Sequence, residues 1–235
     1  MYKSVTILDS AEHGDLRYKA PEDLGFARDL NNIPITYTEI GKVCCDYPIV
    51  FTGSMESPTL SIVTGFKKEE GNLAIDAEGN WVGDYIPAFV RRYPFTLATI
   101  EENKLAVGFD LQSGCFNDPS GVRLYEDDGK ATSVLEGVQN FLASFEKEIR
   151  TTVSMAQELM DKGVLKETVL TLGEGEEQES FGGLMIIDMD KVRKLDDEVT
   201  LDWARRGFFE MFALIQRSYD RFQPLIARRD ASDRG

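Results

Sequence analysis

The residues able to do chemistry in this chain are few. His13 is the sole histidine, set in Glu12-His13-Gly14-Asp15, so any catalytic triad or imidazole base would have to use it. No H-x-x-x-H or C-x-x-C spacing supplies it with metal-binding partners, and it reads as a surface or structural side chain. Gly53-Ser54-Met55-Glu56-Ser57 lacks the closing glycine of a nucleophile elbow. The stretch GEGEEQESFGG at 173–183 is glycine-rich, yet it has no Lys-Ser/Thr pair and its glutamates would repel a phosphate. It reads as a solvated hairpin tip. Asp188, Asp190, Asp196 and Asp197 lack the glycine and register of a calcium loop, and fit capping and solvent-facing roles.

What remains is YIPAFVRRYPF at 85–95, where Arg91 and Arg92 stand side by side among four aromatics. A guanidinium is seldom buried unless a carboxylate or a ligand matches its planar fork. On a helix, adjacent side chains diverge by about 100°, so the two arginines serve different partners. Two roles are open: a structural ion pair for one arginine, with Asp84 or another acid, and recognition of an anion or carboxylate by the other. The second arginine would then face a cavity lined by Tyr85, Phe89 and Tyr93.

The bulk properties narrow the partners. With 26 basic against 41 acidic residues the formal charge is -15, which repels phosphate backbones and anionic lipid and disfavours nucleic acid. A hydrophobic share of 42% is ample for a core. The three cysteines, Cys44, Cys45 and Cys115, have no metal spacing and read as reduced structural thiols. No apolar run reaches the ~18 residues of a membrane span, and MYKSVTILDSAEHGD has no apolar signal region, so a cytoplasmic location is expected.

The elements that must position these residues fall into two parts, and the fold class expected is α+β within one compact unit. Residues 1–130 are strand-rich, with extended runs at 5–9, 47–51, 59–66, 72–85, 95–101 and 104–110, and turn signals at Glu78-Gly79-Asn80, Glu102-Asn103 and Asp127-Asp128-Gly129. Short helices are expected around 22–30, 38–46 and 86–92, the last bounded by Pro87 and Pro94. Residues 131–235 are mainly helical. Ser133 with Glu136 fits a capping box that opens a helix of about thirty residues ending at Gly163. Val134, Val138, Phe141, Phe145, Ile149, Val153, Ala156 and Met160 form its apolar stripe. Runs at 167–172 and 180–188 read as a hairpin, followed by a short helix near 189–195. A last helix is expected over about 200–222, with Leu201, Ala204, Phe208, Met211, Phe212, Ile215, Tyr219 and Phe222 on one face. Pro224 is expected to stop it and to leave a frayed tail. That face, like Trp81 and Trp203, suits a core or a homodimer interface.

Taken together, these strings resemble the SapC family of bacterial proteins almost end to end. The carriers are His13-x-Asp15-Leu16-Arg17, Asp46-Tyr47-Pro48-Ile49-Val50-Phe51 and the YIPAFVRRYPF block, with later echoes at Leu124 to Gly129, Phe181 to Leu184 and Leu195 to Gly207. One departure is Tyr125-Glu126-Asp127-Asp128-Gly129, where the family often has Phe-Asp-Glu-x-Gly. The resemblance brings no catalytic residue with it. It implies an accessory role, since relatives are often encoded near flavin-dependent halogenase-like proteins and outer-membrane receptors for nutrient uptake. The family name implies a surface-layer component, against which the chain shows no repeats and no calcium motif. The expectation is a non-enzymatic binding protein for a partner protein or a small anionic ligand. An enzyme acting on a carboxylate-bearing metabolite is the alternative. The candidate ligand-binding residues are Arg91, Arg92, Tyr85, Tyr93, His13 and Arg17, with no metal or cofactor residue assigned.

Overall fold

A computed structural model of the chain describes residues 1–67, 69–101, 104–173 and 178–232. Its first part runs β1 (Val5–Ile7), α1 (Ser10–His13), β2 (Arg17–Tyr18), β3 (Asn32–Pro34), α2 (Ile40–Val43), β4 (Ile49–Ser54) and β5 (Ser57–Val63). It continues with α3 (Ala88–Arg91), β6 (Phe95–Glu101), β7 (Lys104–Asp110) and β8 (Val122–Arg123). The second part holds α4 (Ser133–Asp161), β9 (Leu165–Leu172), β10 (Glu179–Ile187), α5 (Met189–Val192), α6 (Asp197–Arg205), α7 (Phe208–Ser218) and α8 (Phe222–Ser232). The fold is α+β, with the helices concentrated in the C-terminal part.

Three antiparallel sheets carry it, in the orders β3-β5-β4-β10-β9, β1-β7-β6 and β2-β8. The hairpin read at 167–172 and 180–188 is β9–β10, and it joins the five-stranded sheet through Met185 opposite Phe51. Its expected tip at 174–177, like the turn at 102–103, lies outside the described residues. β4 and β5 are buried at Ile49, Val50, Phe51, Leu60 and Ile62, as central strands covered on both faces must be.

The long helix α4 spans about 43 Å at 1.5 Å per residue, and that length lets it serve two cores. Leu135 and Leu142 pack with Leu16, Phe95, Phe109 and Leu124 beside the three-stranded sheet. Met155, Ala156 and Leu159 pack into the larger core with Ile33, Phe51, Ile62, Trp203 and Phe212. The buried line therefore falls on Leu135, Leu142, Phe145, Thr152, Met155, Ala156 and Leu159, a seven-residue rhythm rather than the stripe expected. Val153, assigned to that stripe, is about half exposed at 51%. The cap also sits one residue earlier than expected. Thr132 has extended backbone and accepts from the Leu135 N–H, whereas Ser133 is already helical.

Three further expectations give way to local chemistry. Residues 72–85 form turns instead of a strand, because Asp76 caps the Asn80 N–H at 2.7 Å and Gly79 takes φ +90°, leaving an isolated Ile75–Trp81 bridge. The single helix expected over 200–222 is broken at Gly207, whose φ of +79° no helix interior allows. The phase change buries Trp203 and leaves Leu201 and Ala204 exposed. Pro224 does not stop the chain: it lies in the first turn of α8, where its missing N–H costs nothing. The tail expected to fray is helical to Ser232, held by buried Leu225 and an Arg229–Glu70 ion pair at 2.9 Å.

Trp203 ties α6 to α4 and α7. It stacks on Phe208 at 4.9 Å, meets Phe212 edge-on at 5.7 Å, and donates its indole N–H to Glu158 at 2.6 Å. The same carboxylate receives both terminal nitrogens of Arg206 at 2.9 and 2.7 Å, so its pKa is held below the ordinary carboxylate value, chiefly by Arg206. Trp203→Ala is expected to cost about 3–5 kcal/mol, the usual penalty for emptying a fully buried aromatic site, read as a shift of the urea midpoint. Trp203→Phe is expected to cost less, keeping the ring contacts while releasing Glu158.

Candidate functional site

The segment 85–95 is seated by a buried carboxylate. Thr36 and Glu39 form a reciprocal capping box on the turn that leads into α2. Glu39, only 2% exposed, receives the Thr36 N–H at 2.8 Å and its hydroxyl at 3.1 Å on one oxygen. Its other oxygen receives the Ala88 N–H at 2.7 Å and the Tyr85 hydroxyl at 3.0 Å. That carboxylate therefore satisfies a donor at the start of α3, where helix geometry leaves N–H groups unpaired.

Arg91 and Arg92 diverge from α3 as helix geometry requires. Arg91 is exposed and turns back on its own segment, donating from Nε to the Ile86 carbonyl and from a terminal nitrogen to the Tyr85 hydroxyl, both at 2.9 Å. Its guanidinium also lies 5.4 Å from the Tyr85 ring centroid and 5.2 Å from that of Phe141. Arg92 goes the other way, half-buried between the rings of Phe89 at 4.2 Å, Phe145 at 5.3 Å and Tyr2 at 5.7 Å. Its Nε is buried without a hydrogen-bond partner. Burial lowers its pKa, with Tyr2 and Glu146 acting in the opposite sense, and an arginine remains cationic throughout. The expected ion pair is not formed. Among the described residues no carboxylate oxygen lies within 4 Å of either guanidinium, and Asp84 instead takes its place through its own N–H to Asp46.

Arg92 opens into a cleft of about 260 Å³ between β3, β5, α3 and α4. Ile35 and Leu60 form one side, and Phe145, Ile149 and Val153 the other. Glu146 also lines it, held through one oxygen by Arg150 at 2.8 Å. Thr152 is present too, but its hydroxyl already donates to the Glu148 carbonyl and accepts the Tyr37 N–H.

The cavity expected around Tyr85, Phe89 and Tyr93 is thus differently built: only Phe89 lines it. Tyr85 belongs to Arg91 and Glu39. Tyr93 is buried elsewhere, stacked on Phe26 at 4.0 Å and donating to Asp110 at 3.3 Å. His13 accepts the Asp9 N–H on Nδ1 and rests edge-on against Phe109. Arg17 is exposed on β2 and donates to the Gly121 carbonyl at 3.0 Å. Neither lines the Arg92 cleft. The cysteines are free thiols, with Cys44 and Cys115 buried and Cys45 exposed. Among the described residues no three His, Cys, Asp or Glu side chains are grouped as a metal site, and no helix is long and apolar enough to cross a membrane.

Tyr2 and Glu146 complete the site and carried no signal in the sequence. Tyr2 is placed by fully buried Asp110, which accepts the N–H groups of Lys3 and Ser4 at 2.9 Å and that of Gln112 at 3.1 Å. Burial, the largest influence, raises the Asp110 pKa, but those donors and Tyr93 outweigh it and hold the carboxyl below its ordinary value.

These features define an antiparallel-sheet α+β protein with an arginine-bearing cleft, walled by aromatic and aliphatic side chains, against the middle of its long helix. The chain belongs to the SapC family, whose model matches residues 8–225. No curated protein and no solved structure matches it.

Two outcomes test this construction. Glu39→Ala removes the acceptor of four donors and is expected to cost about 3 kcal/mol in urea unfolding, while exposed Arg91→Ala costs under ~1 kcal/mol. Asp110 stabilises fully above the unfolded carboxyl pKa of about 3.9, and that contribution fades as pH falls through its depressed folded value. Asp110→Asn is therefore expected to lose about 1–3 kcal/mol at pH 7 and to show a shallower loss of stability between about pH 4 and 2. A variant with an unchanged acid limb would show that Asp110 does not pin the N-terminal segment.

Proposed function

We propose that this protein is a non-enzymatic binding protein for a small carboxylate-bearing ligand, seated in the cleft beside Arg92 and held by its guanidinium. The observation that carries the reading is a half-buried arginine with no carboxylate partner and an orphaned Nε, in a chain with a formal charge of -15. Acids are abundant here, yet none is spent on this cation. Aromatic faces partly offset the cost of keeping it from water, at about 0.5–2 kcal/mol per well-placed ring. Apart from the one that meets the Tyr2 hydroxyl, its in-plane donors are left to match an anion. The apolar walls would take the ligand's hydrocarbon part, as small-molecule sites commonly do. An accessory role in the cytoplasm, beside the nutrient-uptake systems that the family resemblance implies, accords with a carrier of this kind.

Titration calorimetry with 4-methylpentanoate and 3-phenylpropanoate tests the proposal. Saturable one-to-one binding is expected, weakened at least tenfold in Arg92→Ala and changed less than about threefold in Arg91→Ala, as fits a charge-assisted contact of about 1.5–3 kcal/mol. Thermal melting of each variant confirms that it is folded. Equal binding by Arg92→Ala, or no saturable binding of any carboxylate-bearing probe to the wild type, overturns the assignment.

A further inference from the structure

The cleft that exposes Arg92 contains one other charged side chain, and it has the opposite sign. Arg92 projects from α3 and Glu146 from α4, and no oxygen of Glu146 comes within 4 Å of an Arg92 nitrogen. Glu146 Oε1 accepts from Arg150 Nε, while its second carboxylate oxygen has no hydrogen-bond partner among the described residues. A cation and an anion thus line one small cavity without closing on each other. Between them the walls are apolar: Ile35, Leu60, Phe145 and Ile149, with half-exposed Val153 on the α4 side.

A plain carboxylate satisfies only half of this arrangement, because Arg92 attracts it while Glu146 repels it. At an effective dielectric of about 20, two like charges some 6 Å apart oppose each other by about 3 kcal/mol before salt screening. A plain amine meets the converse problem at Arg92. A molecule carrying both charges on neighbouring atoms turns both side chains into partners, each pairing with the group of opposite sign. The volume of about 260 Å³ suits a single small metabolite.

We infer that the ligand is a zwitterionic α-amino acid with an apolar side chain, its carboxylate on Arg92 and its ammonium on Glu146. This rests on the carboxylate-binding reading above and narrows it. Glu146 Oε1 pairs with exposed Arg150, and the second oxygen is the one left to the ligand. Specificity against des-amino acids then comes from Glu146, by repulsion as well as by attraction.

The experiment is calorimetry at constant ionic strength with two matched sets of probes. L-leucine and 4-methylpentanoate form one, and L-phenylalanine, 3-phenylpropanoate and 2-phenylethylamine the other. The wild type is expected to bind at least one amino acid tenfold or more tighter than its des-amino partner and tighter than the amine. In Glu146→Gln that preference is expected to disappear, with the des-amino acid binding as well as before or better. Arg150→Gln is expected to keep the preference, which separates loss of the Glu146 charge from loss of the surface ion pair. If the des-amino acids bind the wild type as tightly as the amino acids do, in a manner dependent on Arg92, the zwitterion assignment is overturned while the carboxylate reading stands. If no probe binds, or the amine alone binds, both fall.

Discussion

The position of the arginine pair depends on the carboxylate of Glu39, buried between the turn before α2 and the start of α3. Four donors converge on it, from Thr36 twice, from Tyr85 and from Ala88, and they come from two segments about fifty residues apart in the chain. A buried charge with that many charge-assisted bonds is rigidly oriented, since losing any one donor leaves it undersolvated. The consequence reaches outward: α3 is anchored at its first residues, and the divergence of Arg91 and Arg92 then follows from helix geometry. Arg91 closes back onto Tyr85, completing the Glu39 network at the surface, and Arg92 is directed to the opposite side.

The second constraint is the length of α4. One continuous helix contributes Leu135 and Leu142 to the core beside β6 and β7, and Met155, Ala156 and Leu159 to the core under the five-stranded sheet. Between these two anchored stretches lie Phe145, Glu146 and Ile149, facing a gap between the two cores. The cleft lies beside the stretch of α4 between the residues it gives to each core. Tyr2 lies against Arg92 from a third direction, placed there by the Asp110 bonds to residues 3 and 4. The site is therefore built from the N-terminal segment, the short helix α3, the edge of the larger sheet and the middle of α4.

Much of this was legible from residue type and spacing. α4, the β9–β10 hairpin, the β6–β7 pair and the short proline-bounded helix before Phe95 follow from apolar period and from glycine and proline placement, which act within a few residues. The same local rules misjudged places where two signals compete. At 72–85 alternating apolar residues favoured a strand, but the Asp76-to-Asn80 turn satisfied the backbone first. At 200–222 the apolar period continued across Gly207, and only its left-handed backbone changed the phase to bury Trp203. Pro224 reads as a stop because the start of α8 two residues earlier has no sequence mark of its own.

By itself the sequence determined the α+β class, the long helix, and the divergence of two adjacent arginines, because each depends on covalent geometry and near-neighbour contacts. It also carried enough of the SapC strings to place the chain in that family. Folding settled that neither arginine would meet a carboxylate, and that Glu146, fifty-four positions beyond Arg92, would share its cleft. An ion pair depends on which acids approach within a few ångströms after folding, and sequence distance does not report that. With 41 acidic residues in the chain, composition offered Arg92 many partners, and packing withheld them.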